Sequence, residues 1–80
     1  MSRSNTDKPA LNAEAVTKSD STTYTPTSAL YIGVGGNVAV TTEGGQVVTF
    51  ENVLGGTWIP LQVTKVMSTN TTASSIIRVW

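Results

Sequence analysis

Residues Val53–Val63 read VLGGTWIPLQV, and the fold turns on how that stretch is understood. Its second half, Thr57 to Val63, has the β-branched, aromatic and alternating character of a sheet strand, yet Pro60 stands in its middle. Proline has no N–H to give to a ladder, so it belongs at sheet edges, strand starts or bulges. The segment Thr57–Met67 is therefore predicted as a strand that is an edge or is bulged midway, with two differently directed halves. Apolar parity points the same way, because Ile59, Leu61 and Val63 share one face while Val66 falls on the other.

The flanking chain carries the same β signal. SALYIG (Ser28–Gly33) leads into the glycine-rich turn GVGGN, and NVAVTT (Asn37–Thr42) follows with Val38, Val40 and Thr42 on one face at a period of two. Glu43-Gly44-Gly45 reads as a three-residue hairpin loop in which glycine supplies a positive φ, and QVVTF (Gln46–Phe50) returns antiparallel. Glu51–Gly56 and Ser68–Ser74 read as further turns, and SSIIRVW, at the C-terminal end, as the last strand. No segment reads as a long helix. The pattern predicts an all-β fold, a small antiparallel β-sandwich or open barrel of about five strands.

The chain changes character near Ser28. Residues 1–27, MSRSNTDKPALNAEAVTKSDSTTYTPT, are polar, hold Pro9 and Pro26, and offer only Leu11, Val16 and Tyr24 as large apolar side chains. Such a segment buries too little to offset the entropy of ordering it, so it is predicted as an extended N-terminal arm, residues 1–27, preceding a β-domain, residues 28–80. Asn12 to Val16 reads as one helical turn at most, too short to be stable alone. An arm of this composition is held in place only by contact with something else.

Composition narrows the possible functions. The 80 residues include no Cys and no His, which removes disulfides, thiolate nucleophiles and the usual zinc ligands. Net charge is zero with 12% charged residues, so backbone-driven nucleic-acid binding is not expected. No apolar run has the length of a membrane span, and the polar start lacks the apolar region of a signal peptide. The expectation is a soluble protein assembled in the cytoplasm, with no cofactor, metal, nucleic-acid or membrane partner. A β-domain of this size without staples folds only marginally by itself, which predicts association with copies of itself.

Catalysis would have to draw on Asp7, Glu14, Asp20, Glu43, Glu51, Lys8, Lys18 or Lys65. No two acids stand at a spacing that would pair them for two-carboxylate chemistry, so these charges read as solvated surface and the protein as no enzyme. Gly33-Val34-Gly35-Gly36 superficially resembles a phosphate loop, but a phosphate cradle opens a helix and here a strand follows. Asn70-Thr71-Thr72 matches a glycosylation acceptor and reads more simply as a polar turn. Tyr24, Tyr31, Trp58 and Trp80 suit a stacking platform for sugars or bases, or packing in core and subunit interfaces; packing is the favoured reading. Leu11, Val16, Tyr24, Trp58 and Trp80 are the candidate partner-interface residues.

Taken together, Ala29 to Trp80 resembles the small spike base proteins of tailed bacteriophages and gene transfer agents. The resemblance rests on Ala29-Leu30-Tyr31-Ile32-Gly33, on Gly44-Gly45 leading to Val48-Thr49-Phe50, and above all on Gly56-Thr57-Trp58-Ile59-Pro60. Thr71-Thr72-Ala73 and the apolar end Ile76–Trp80 complete it, and Ala15 to Ser21 is similar to the family's lead-in segment. The sequence departs from the family pattern at Leu54, where proline is usual, at Gln62, where arginine is usual, and around Asn70 and Ser75, where glycines are usual. The resemblance implies a non-enzymatic virion structural protein on the capsid exterior, decorating or cementing the head or forming the base of a head spike or fibre. Its implied partners are the major capsid protein, copies of itself and a spike or fibre protein. On that footing the arm is expected to lie along the shell or a neighbouring subunit, anchored by Leu11, Val16 and Tyr24, or else to face the fibre. A tail or baseplate adaptor, or a polysaccharide receptor-binding module, is the alternative.

Overall fold

The computed structural model describes residues 10–80. Seven strands form: β1 (Ala13–Ala15), β2 (Ala29–Val34), β3 (Gly36–Thr42), β4 (Val47–Val53), β5 (Thr57–Ile59), β6 (Val63–Val66) and β7 (Ser74–Val79). They make two antiparallel sheets, one of four strands in the order β1-β7-β2-β5 and one of three in the order β4-β3-β6. Neither sheet closes on itself, so of the two architectures expected from the sequence the sandwich is the one formed.

Between the sheets, Leu30, Ile32, Ile59 and Ile76 of the four-stranded sheet meet Val38, Val40, Val63 and Val66 of the three-stranded one. Ala73 is buried with them, and Val16, Phe50, Val53 and Leu61 pack against this core from its margins. Burial of each large member is worth roughly 1.5–3 kcal/mol relative to exposure. The alternation that predicted the strands is the alternation that fills this layer.

Two strands more than the expected five appear, for separate reasons. The first is Pro60. Thr57 to Ile59 pairs with β2 in one sheet, whereas Val63 to Val66 pairs with β3 in the other, so the presumed single strand changes sheets at its proline. Pro60 is the central residue of a tight turn in which the Leu61 N–H donates to the Ile59 carbonyl at 2.9 Å. That three-residue γ-turn needs a φ close to the one proline is locked into, and asks no N–H of its central residue.

The parity conflict has a different origin from the proline. On β6, Thr41 faces Lys65 but Thr42 faces Val63, leaving Thr64 as an extra residue in a bulge. One inserted residue turns Val63 and Val66 to the same side, and both are fully buried.

The second addition is β1. Ala13-Glu14-Ala15, read from sequence as part of a helical turn, is extended and pairs antiparallel with β7, Ala13 opposite Val79 and Ala15 opposite Ile77. A three-residue strand has little intrinsic preference, and the free edge of β7 decides it. From there the chain crosses to the three-stranded sheet, where the N–H groups of Ser19, Tyr24 and Thr27 donate to the carbonyls of Val66, Thr64 and Val63. Residues 10–27 are thus held by the β-domain of their own chain, whereas the sequence reading lays them along the capsid shell or a neighbouring subunit; the edges of β6 and β7, unseen in the sequence, supply the support instead. The first nine residues of the expected arm, with Asp7 and Lys8, lie outside the described residues.

The glycine-rich turn is also a sheet crossing. β2 extends to Val34, Gly35 alone separates it from β3, and a Cβ on Gly35 would sit 2.5 Å from the Val53 carbonyl oxygen. Only glycine admits that approach. The expected three-residue hairpin stands between Thr42 and Gln46: the Thr42 N–H donates to the Gln46 carbonyl, and Gly45 takes a φ of 94°.

Candidate interaction surfaces

The Pro60 corner takes its backbone partners from the N-terminal segment. Thr27, only 2% exposed, donates its hydroxyl to the Leu61 carbonyl at 3.0 Å and accepts the Val63 N–H at 3.1 Å on the same oxygen. The Leu61 carbonyl lies between the two ladders and the Val63 N–H stands on the first residue of β6, and the hydroxyl serves both. Asp20 does the same for the 68–70 turn, accepting the N–H groups of Ser68 and Thr69 at 2.9 Å each and the Thr69 hydroxyl at 2.6 Å. The hydrogen bonds from Thr69, hydroxyl first, hold its carboxyl below the ordinary value of 3.8. Lys18 donates its ammonium to the carbonyls of Thr71 and Ala73.

Arg78 organises the far end of the sandwich. It stands opposite Leu30 on β2 and therefore points to the core side, where its guanidinium lies 4.4 Å from the Tyr24 ring centre and 3.8 Å from that of Trp80. Its Nε and Nη2 donate to Glu14 Oε1 at 3.0 and 2.7 Å. Nη1 is buried without a partner among the described residues. Two aromatic faces and one carboxylate thus clamp β1 and the crossing segment onto β7.

The outward side of the four-stranded sheet has another character. Ala15 faces Ile77, Ile77 faces Tyr31, and Tyr31 faces Trp58, an apolar row running across all four strands. Ala13, Val79 and Ala29 form a second row beside it. Trp58 is 55% exposed, with its ring centre 5.0 Å from that of Tyr31 at a tilt of 58°. None of these residues is charged. The outward side of the three-stranded sheet carries Thr41, Thr49, Glu51 and Lys65 beside the exposed Val47, so charge and hydroxyls interrupt its apolar surface.

The five candidate interface residues divide accordingly. Tyr24 and Trp80 meet around Arg78, and Val16 packs against the core beside a groove of about 270 Å³ floored by Ala73 and Ile76. Trp58 and Leu11 are exposed, Leu11 to 91%. Of the candidate catalytic acids, Glu14 is paired with Arg78, Asp20 caps a turn, Glu43 lies in the hairpin loop and Glu51 on β4. No group of three or more acidic residues among the described residues is placed to hold a metal ion. The roles of Thr27 and Arg78 were not read from sequence. Thr27 gives no local signal of its partners some 35 positions away, whereas strict alternation along β7, with Ile76 inward and Ile77 outward, places Arg78 inward.

No family model matches the chain, and no curated protein matches it. Among solved structures, the chain is similar to one in "Capsid of native GTA particle computed with C5 symmetry", with 31% identity and a TM-score of 0.82. The match covers 92% of this chain and 87% of that one.

Proposed function

We propose, from the premise that this chain belongs to the same family as the GTA capsid-particle protein it matches, that it is a virion structural protein. The single observation that carries this reading is the likeness over nearly the whole length of both chains. In the finer form, it is a non-enzymatic protein on the outside of the head, decorating the shell or forming the base from which a spike or fibre projects. It binds the major capsid protein through the apolar outward face of the four-stranded sheet, with Trp58 as the central anchor and Leu11 as a second contact. Aromatic side chains on an uncharged face suit that role, since few large anchors carry most of an interface's energy. Val16, Tyr24 and Trp80 contribute by keeping the N-terminal segment on the domain beside that face. Many copies on one particle make weak individual contacts sufficient.

Trp58→Glu tests this reading, because the side chain is exposed and its change leaves the core intact. Variant-bearing particles are purified and the protein on heads and on tails is quantified. Head occupancy is expected to fall at least tenfold. Full occupancy on heads, or recovery on tails alone, would overturn the reading; loss of polysaccharide binding with unchanged occupancy would favour the receptor-binding alternative.

A further inference from the structure

The two sheets have four edges, and three of them are blunted. β1 and β5 are three residues each, and β5 runs directly into Pro60. β6 is four residues long, bulged, and its carbonyls are taken by Ser19, Tyr24 and Thr27. β4 is different: seven residues, Val47–Val53, without proline and with Glu51 as its one charge. Among the described residues nothing pairs with its outer side, and a long edge of this kind is a template for another strand.

The ladder states which groups are free. The Thr42 N–H donates to the Gln46 carbonyl, so in an antiparallel pair the bonded positions on this strand continue at Val48 and Phe50. Val47, Thr49 and Glu51 accordingly turn their N–H and C=O groups away from β3. Side chains mark the same edge as unfinished. Val48 and Phe50 face the core side opposite Val40 and Val38, yet Val48 is 37% exposed, and outward-facing Val47 is 65% exposed.

We propose that β4 is a self-association edge that pairs antiparallel with β4 of a second copy, in the register that sets Thr49 opposite Thr49. Three symmetric registers place a residue with free groups on the twofold axis itself. One centred on Val47 overlaps little of the strand. One centred on Glu51 opposes two carboxylates directly, which is destabilising, and runs into the bulge where Asn52 has a φ of 58°. Centring on Thr49 places Val47 opposite Glu51 on both sides of the twofold and lets the Thr49–Thr49 pair and both Val47–Glu51 pairs exchange two hydrogen bonds each. It also brings Val48 of each copy opposite Phe50 of the other, covering the core-side residues that the single chain leaves open. The two three-stranded sheets become one continuous sheet, and the uncharged face around Trp58 stays free.

This inference rests on the virion reading only in that a particle crowds copies together. It is tested without a particle, so it fails or stands separately. The mass of the full chain is followed by sedimentation over a hundredfold concentration range, and amide exchange is measured at both ends. The expected result is a doubling of mass, with the amides of Val47, Thr49 and Glu51 slowing at least tenfold in the dimer while those of Val48 and Phe50 are protected throughout. Thr49→Pro removes an N–H that β3 does not use, and Thr49→Lys sets two cations face to face at the twofold. Each is expected to weaken association at least tenfold, the Lys variant recovering in high salt. A chain that stays monomeric over the whole range overturns the proposal, as does a dimer whose outward amides exchange freely or one that survives both substitutions.

Discussion

Replacing Thr27 by Val tests how the two sheets are joined. The substitution keeps the branched shape and volume of a side chain that is only 2% exposed, and removes one oxygen. That oxygen serves two groups, accepting the Val63 N–H at 3.1 Å and donating to the Leu61 carbonyl at 3.0 Å. Both would be stranded in a buried corner, where an unsatisfied polar group costs about 1–3 kcal/mol. Some relaxation of the corner recovers part of this, so the expected loss is about 2–4 kcal/mol. For a domain of this size each kcal/mol moves the melting temperature by about 4–8 °C, and a fall on the order of 10–30 °C follows. Urea unfolding followed by tryptophan fluorescence, alongside a thermal melt, measures it. Thr27→Ser, which keeps the hydroxyl and loses one methyl, should lose clearly less. A Val variant within about 0.5 kcal/mol of the parent, the ordinary scatter of harmless substitutions, would refute the assignment of the corner to that hydroxyl.

Three further outcomes are expected. Pro60→Val removes the fixed φ of the γ-turn where the chain passes from β5 in one sheet to β6 in the other, loosening the corner and exposing both strand ends, so light scattering on refolding should rise; unchanged solubility would count against the corner as a guard. Ser75 has a φ of 54°, where a side chain costs about 1–2 kcal/mol. Allowing for the chain entropy of glycine, Ser75→Gly should stabilise by about 0.5–1 kcal/mol, read as a shifted urea midpoint. Asn70, with a φ of 68°, tolerates that region better and should gain less. The Asp20 carboxyl is held below 3.8 by Thr69 and Ser68, so its contribution is complete above that value and is lost as pH falls through the lowered one. Asp20→Asn should therefore flatten the acid limb of stability against pH; an identical limb in both proteins would show that the carboxylate is not bound in this way.

What the sequence disclosed follows from which forces are local. Val38, Val40 and Thr42, Gln46 to Phe50, and the loop Glu43-Gly44-Gly45 declare strands and a hairpin through neighbours within a few residues. Pro60 declared an interruption, because a missing N–H is a property of one residue. That the interruption exchanges one sheet for the other depends on β2 and β3, which no local pattern mentions. β1 is invisible for the same reason: Ala13-Glu14-Ala15 becomes a strand only because β7 arrives beside it from the other end of the chain. The departures from the family pattern at Asn70 and Ser75 are instructive in the opposite direction. Both positions have left-handed backbone, which is why glycine suits them. Of the candidate interface, the aromatics were visible as residue types. Their division between the Arg78 clamp and the exposed Trp58 needed the register of four strands.

The most direct test of the virion assignment is the place and copy number of this chain in a purified particle, imaged by electron microscopy and counted by quantitative mass spectrometry. The expected result is the two-sheet sandwich seated on the outer surface of the head in symmetry-related copies, with the row Ile77, Tyr31, Trp58 turned to the shell. Its absence from the particle, or its confinement to the tail tip, would contradict the assignment.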